Sequence, residues 1–237
     1  MTIQQFCRLA CVAALAGIAW LGTPRPAVAA EAAAMPPAAM PPAAGNVAAG
    51  DATAGAAKAA VCGACHGITG SSVNPEWPNL AGQHAGYIVE QLTLFKGAVR
   101  SNAIMQGQAV ALAAADMADV AAYFEKQVPT GLEADATLWK AGEKLYRGGD
   151  AGRGIPACAS CHGPDGRGNG PARWPQIRAQ HAAYVATQLR AYVAGTRYVA
   201  VAGQPAPPAA AQMMNDAARR LSGDDIKALA AYIQGLR

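Results

Sequence analysis

Apolar residues recur at helical spacing along the chain from residue 51 to its end, and no segment alternates apolar and polar positions as a half-buried strand would. Two stripes follow i, i+4 and i+7: Ile88, Leu92 and Phe95, and Val185, Leu189 and Tyr192. Two more follow i, i+3, i+4 and i+7: Met117, Val120, Ala121 and Phe124, and Ile226, Leu229, Ala230 and Ile233. Each stripe predicts an amphipathic helix whose apolar face is core. We therefore predict an all-α fold.

The helical pattern occurs twice. One set of residues recurs after 97 positions: Trp77-Pro78, Gln83-His84, Tyr87, Gln91 and Arg100 become Trp174-Pro175, Gln180-His181, Tyr184, Gln188 and Arg197. A later set recurs after 109 positions: Leu112, Asp116 and Tyr123 become Leu221, Asp225 and Tyr232. The larger displacement indicates an insertion in the second half, and the Pro-rich stretch 203–211 predicts a surface loop there. We predict two similar domains, 51–130 and 131–237.

The first 50 residues have a different composition. Arg8 precedes an apolar run over 9–22, and Ala27-Val28-Ala29 supplies a cleavage site, which together predict a secretory signal peptide over 1–29. The run has 14 residues, fewer than the ~20 that a membrane-spanning helix needs, so an uncleaved anchor is the alternative and not the preferred interpretation. Ala and Pro repeats over 30–50 predict a disordered tether. We expect a periplasmic protein, cleaved after about Ala29.

Charge is distributed unevenly between the two predicted domains. Residues 51–130 hold four Lys and Arg residues against six Asp and Glu residues, and residues 131–237 hold thirteen against eight. The domains should therefore have opposite polarity, with net charges of −2 and +5. The basic residues are scattered and the chain is predicted to be exported, so nucleic-acid binding is not expected.

A pentapeptide with specific chemistry occurs once in each half, as Cys62-Gly63-Ala64-Cys65-His66 and as Cys158-Ala159-Ser160-Cys161-His162. C-x-x-C-H is the spacing at which two thiols attach a haem and the next His binds its iron. Positions i, i+3 and i+4 share one helix face, so Cys62, Cys65 and His66 can meet one haem together. A zinc site does not require the adjacent His, and a redox disulfide predicts no second copy. We therefore predict two covalently attached haem c groups.

Each iron needs a sixth ligand, for which Met residues are the candidates. Met117 lies on a core stripe, so Met105 is the candidate in the first half. Met105 lies seven residues before Leu112, and the same count in the second half gives Met214, with Met213 as its competitor. Both ligands should lie on irregular chain ahead of the terminal helix. A thioether ligand raises the reduction potential and closes the iron to small molecules, so the haems should carry electrons.

Four other recurring polar residues are candidates either to contact the haem or to have an ordinary surface or hydrogen-bonding role. His84 and His181 are the only remaining His residues, and we expect them to be surface or hydrogen-bonding groups and not iron ligands. Arg100 and Arg197 are candidates to pair with haem propionates, although we favour solvated side chains.

The two C-x-x-C-H sites, the Trp-Pro and Gln-His-Ala-x-Tyr repeats and the Met before each terminal helix resemble the dihaem cytochrome c4 family over residues 52–237. The resemblance implies two tandem class I cytochrome c domains, each wrapped around one haem. It implies haem c on Cys62 and Cys65 and on Cys158 and Cys161, and the axial pairs His66 with Met105 and His162 with Met214. The sequence departs from the family in its tether, in Ala113-Ala114-Ala115 where a Ser cap is usual, and in the longer loop before Met214.

The resemblance also implies a function, an electron shuttle in the periplasm. The expected donor is a quinol:cytochrome c oxidoreductase and the expected acceptor a terminal haem-copper oxidase. We expect a monomer, loosely associated with the membrane surface, and no enzymatic activity. Two alternatives are a dihaem oxidoreductase of the peroxidase or thiosulfate-oxidising type and a subunit of a membrane oxidase or dehydrogenase. Such a peroxidase is usually longer, and a thiosulfate-oxidising site needs an extra Cys that the predicted mature chain lacks.

Overall fold

The structure, a computed structural model, describes residues 49–237, which are helical and contain no strand beyond isolated bridges. The first half holds α1 (Ala52–Lys58), α2 (Ala60–His66), α3 (Ala85–Lys96), α4 (Ala103–Val110) and α5 (Ala114–Glu125). The second half holds α6 (Trp139–Gly148), α7 (Ala159–His162), α8 (Ala182–Val193), α9 (Ala209–Ala218) and α10 (Gly223–Gly235). The all-α prediction is confirmed. The predicted signal peptide and all but the end of the predicted tether lie outside the described residues.

Each half is organised around its terminal helix. In the first half α5 packs against α1 and α3, and in the second half α10 packs against α6 and α8. The predicted apolar stripes form the two cores, with Phe124 and Leu229 fully buried. No helix among residues 49–237 has the length and apolar character needed to cross a membrane.

Two glycines allow the first and last helix of each half to touch. A Cβ atom at Gly55 of α1 would overlap the carbonyl oxygen of Asp119 in α5, and one at Gly142 of α6 would overlap that of Ala228 in α10. Because only glycine lacks this atom, the helix backbones approach more closely here than any other residue would permit. These contacts fix the crossing of α1 with α5 and of α6 with α10.

The structure places the inserted chain that the unequal repeat displacements indicate in the second half. The inserted chain lies between α8 and α9, but positions 209–211 of the predicted loop already belong to α9. The chain that precedes this loop contacts the first half, since the backbone N–H of Val199 donates to the carbonyl of Val99 over 2.8 Å. Residues 203–206 of the predicted loop are exposed, so the surface-loop prediction is confirmed there.

The two candidate Met ligands lie on helices and not on irregular chain, so that part of the prediction is wrong. Met105 is in α4, which begins at Ala103. The side chain of Asn102 caps this helix by accepting a hydrogen bond from the Met105 N–H over 2.9 Å. Met214 is in α9, whose N-cap is Pro208 with φ of −56°. An Asn cap and a restricted Pro φ both favour helix initiation.

The N-terminus of α5 lacks a side-chain cap that its counterpart possesses. Ser222 caps α10 by accepting from the Asp225 N–H over 3.1 Å, and Asp225 accepts from the Ser222 N–H over 2.8 Å. At α5 only the second bond exists, from the Ala113 N–H to Asp116 over 3.1 Å. The two cap residues have nearly the same backbone angles, φ −74° and ψ 162° for Ala113 and φ −75° and ψ 168° for Ser222.

Replacing Ala113 with Ser is therefore expected to complete the capping box and to raise the free energy of unfolding by about 1 kcal/mol. Denaturant unfolding followed by circular dichroism measures this gain. Ala115→Ser is the matched control, because residue 115 is exposed in the first turn of α5 without being its cap. Equal stability of the two variants would contradict the prediction.

Candidate functional site

The first haem motif lies on α2, which places Cys62, Cys65 and His66 on consecutive positions of one helix face. His66 is buried, and its Nδ1 is 2.8 Å from the carbonyl oxygen of Pro78. A carbonyl oxygen only accepts, so Nδ1 must carry the proton in this contact. The Nε2 atom of His66 is thereby left as the unprotonated ring nitrogen, which is the form that binds a metal.

The second motif repeats this arrangement on a shorter helix. Cys158 is the N-cap of α7, and Cys161 and His162 lie within that single turn. His162 is buried, and its Nδ1 is 3.0 Å from the carbonyl oxygen of Pro175. One helical turn therefore suffices to hold the two thiols and the imidazole, and the same tautomer is imposed in both halves.

Burial shapes the protonation of both motifs. It lowers the pKa of His66 and of His162, which favours neutral imidazole, the ligating form. It also raises the pKa of the Cys62 thiol, and that of the Cys158 thiol to about 11. None of the four motif cysteines is in a disulfide. Cys62 and Cys158 each pack against the hydrophobic core of their own half, which suits attachment of an apolar haem.

The two proline carbonyls are functional groups that sequence reasoning did not assign. Pro78 and Pro175 orient the motif histidines through their backbone oxygens. A carbonyl that accepts a hydrogen bond from the far ring nitrogen of a metal-binding histidine fixes the orientation of the ring and raises its basicity as a ligand. The recurrence of Trp-Pro after 97 positions is a signal for them, although it does not reveal that the backbone oxygen is the atom that contacts the histidine.

The structure places the Met candidates of the two halves in different surroundings. Met105 and Cys62 both pack against the core cluster of the first half, whereas Met117 is a member of that core, as predicted. In the second half Met213 is 51% exposed and Met214 is half-buried, which favours Met214 as the ligand. Cys158 packs against the second core cluster, which does not include Met214.

Arg100 and Arg197 are buried where the two halves meet, so the preference for solvated side chains is wrong. Arg100 donates to the Tyr184 hydroxyl over 2.9 Å, and Arg197 donates to the Tyr87 hydroxyl over 3.1 Å, each across the interface. Arg197 is 6% exposed, and its Nη1 has no hydrogen-bond partner among the described residues. A buried guanidinium with a free donor suits a carboxylate such as a haem propionate. The free Nε2 atom of the motif histidine fits a haem iron in each half, and the Arg197 donor fits one propionate.

His84 and His181 take hydrogen-bonding roles across the same interface. The Nε2 atom of His84 is 2.8 Å from the carbonyl oxygen of Arg167, and that of His181 is 2.9 Å from the carbonyl oxygen of Ser72. Each carbonyl belongs to the opposite half. The hydrogen-bonding interpretation is confirmed, but His181 is buried and therefore not a surface residue.

Comparison with known proteins agrees with this geometry. The family model described as cytochrome c matches residues 47–127 and again residues 140–237. Cytochrome c4 of Azotobacter vinelandii is 44% identical over 187 residues, covering 75% of this chain and 85% of the relative. A thiosulfate dehydrogenase electron acceptor of Stutzerimonas stutzeri strain A1501 is 37% identical over 178 residues, covering 73% of this chain and 78% of the relative.

A solved structure extends the similarity to three dimensions. Reduced recombinant cytochrome c4 from Pseudomonas stutzeri superposes with a TM-score of 0.73 at 43% identity, covering 80% of this chain and all of the other. The matches span both halves at once and share one architecture. The chain therefore belongs to the dihaem cytochrome c4 family and binds two covalently attached haem c groups, one in each of its cytochrome c domains.

Proposed function

We propose that this chain is a periplasmic electron carrier that exchanges single electrons through two His/Met-ligated haems and catalyses no reaction of its own. The observation that carries the proposal is the setting of His66 and His162. Each is buried and held through Nδ1 by a proline carbonyl, so that Nε2 is available to iron. This arrangement recurs in domains that we assign to 51–130 and 131–237.

The side chains of the motifs have separate roles in this proposal. Cys62 and Cys65, and likewise Cys158 and Cys161, would form the thioether bonds to haem, and the motif histidines would bind its iron. Met105 and Met214 would supply the remaining ligands and keep small molecules away from the metal. When bound, each haem supplies one reversible ferric/ferrous couple. A closed coordination sphere favours an electron carrier over a peroxidase.

The partners are proposed from the family. We propose a quinol:cytochrome c oxidoreductase as donor and a terminal haem-copper oxidase as acceptor, with the chain acting as a monomer loosely associated with the membrane surface. A signal peptide over residues 1–29 would deliver it to the periplasm. A second candidate is acceptance of electrons from a thiosulfate dehydrogenase, which is supported by the relative of that name at 37% identity.

An optical redox titration of the purified protein tests the proposal. We expect two one-electron transitions and, in the oxidised form, a near-infrared iron–thioether band of the intensity that two Met-ligated haems give. The reduced protein should not bind carbon monoxide, because both sixth positions are filled. Rapid carbon monoxide binding at either iron would instead indicate an open site and an enzyme of the peroxidase type.

A further inference from the structure

The peptide group that orients each motif histidine is hydrogen-bonded to a glutamine of the opposite domain. In the first domain this group is the Pro78–Asn79 peptide, whose carbonyl oxygen contacts His66 over 2.8 Å. Its N–H, on Asn79, donates to the Oε1 atom of Gln180 over 2.8 Å. Gln180 also donates from Nε2 to the Asn79 carbonyl over 2.9 Å, so it holds Asn79 at two points.

The second domain shows the reciprocal arrangement. The Pro175–Gln176 peptide contacts His162 through its carbonyl oxygen over 3.0 Å. Its N–H, on Gln176, donates to the Oε1 atom of Gln83 over 2.9 Å. Gln83 returns a bond from Nε2 to the Gln176 carbonyl over 2.8 Å. Gln83 and Gln180 are repeat equivalents, so the two domains exchange the same contact.

The orientation of both glutamine amides is determined by a further contact. The Oε1 atom of Gln83 also accepts from the His84 N–H over 3.1 Å, and that of Gln180 accepts from the His181 N–H over 3.1 Å. Two N–H donors converge on each oxygen, so the amide cannot be reversed without losing both bonds. Gln83 is 7% exposed and Gln180 is 8% exposed, so these bonds are shielded from water.

A hydrogen bond to the N–H of a peptide polarises that peptide and strengthens the bond that its carbonyl accepts. A stronger bond from histidine Nδ1 makes the imidazole a more basic ligand, which stabilises ferric iron and lowers the reduction potential. We propose that Gln180 tunes the iron ligand His66 of the first domain and that Gln83 tunes His162 of the second. Each domain thus sets the reduction potential of its neighbour, an effect that rests on the proposed function.

This assignment predicts a crosswise result when a glutamine is replaced by Met, which has similar length and no acceptor oxygen. Gln180→Met is expected to raise the potential of the first-domain haem, changing its equilibrium constant for reduction by a few-fold, because one hydrogen bond strengthens its neighbour by about 10–30%. The Nδ1–H resonance of His66 should move as well. Gln83→Met should have the same effects on the second-domain haem and on His162.

The measurement is NMR of the intact holoprotein during a redox titration, with the signals of each haem and each Nδ1–H followed separately. Gln91→Met is the matched control. Gln91 is buried in the same interface and bonds to Arg100 over 2.9 Å and to Tyr198 over 3.0 Å, but it contacts neither proline peptide. It should leave both Nδ1–H resonances unchanged.

Gln180→Glu and Gln83→Glu keep an acceptor oxygen, and they provide a second test in case a Met variant fails to fold. Neither should raise the potential of the opposite haem, and a rise would overturn the inference. A shift in the variant's own domain, equal shifts in both, or the same shift from Gln91→Met would also overturn it. Absence of two haem transitions in the unaltered protein would instead refute the proposed function.

Discussion

Replacing Cys158 and Cys161 together with Ala is expected to reduce the haem content from two per chain to one and to leave the second domain unfolded. Without thiols no covalent bond to that haem can form. A domain of about 100 residues has only a modest core of its own, so an enclosed haem supplies much of its apolar interior. Cys158 packs against the core of this domain, so replacing it removes a point at which haem would be attached next to the core.

Iron content per chain and the haem stain of a denaturing gel measure the first effect, and thermal unfolding followed by circular dichroism measures the second. The matched variant replaces Cys62 and Cys65, and it should remove the other haem and unfold the other domain. Retention of two covalently bound haems by either variant would contradict the assignment of its Cys pair.

Much of the fold could be predicted because its signals are local. Covalent attachment demands a fixed spacing of two thiols and one imidazole, so the haem motifs are visible in five residues. The stripes that end in Phe124 and Ile233 are likewise local, since a helix that packs on a core must repeat its apolar positions. The close crossings at Gly55 and Gly142 were not predicted, because each depends on a carbonyl from a distant helix.

The interface between the domains could not be predicted for a different reason. Gln83-His84 and Gln180-His181 recur both because the domains share a fold and because they face each other across an interface. A residue that contacts its own domain and a residue that contacts the other domain recur in the same way. The repeat alone therefore cannot distinguish a contact within a domain from one between domains. The sequence favours solvated side chains for Arg100 and Arg197, because a charged side chain on a single domain is usually exposed. Their burial is a property of the pair of domains.

The second large expected effect concerns Met214, which we propose as a ligand of the second-domain haem iron. Met214→Leu is expected to halve the intensity of the near-infrared iron–thioether band, to lower the potential of one haem, and to let carbon monoxide bind to one reduced iron. Leu fills a similar volume but has no sulfur, so the sixth position opens while α9 persists. Axial ligands set haem potentials over a range of about 0.8 V, so the change should be large.

Met213→Leu is the matched control, since it makes the same chemical change one position earlier in α9. Successive helical residues point about 100° apart, so both Met side chains cannot face the same iron. Met213 is 51% exposed, which assigns it to the solvent side of α9 and Met214 to the inner side. The control should keep the full band and exclude carbon monoxide. The reverse pattern, with Met213→Leu opening the iron, would transfer the ligand assignment to Met213 and require α9 to rotate when haem is bound.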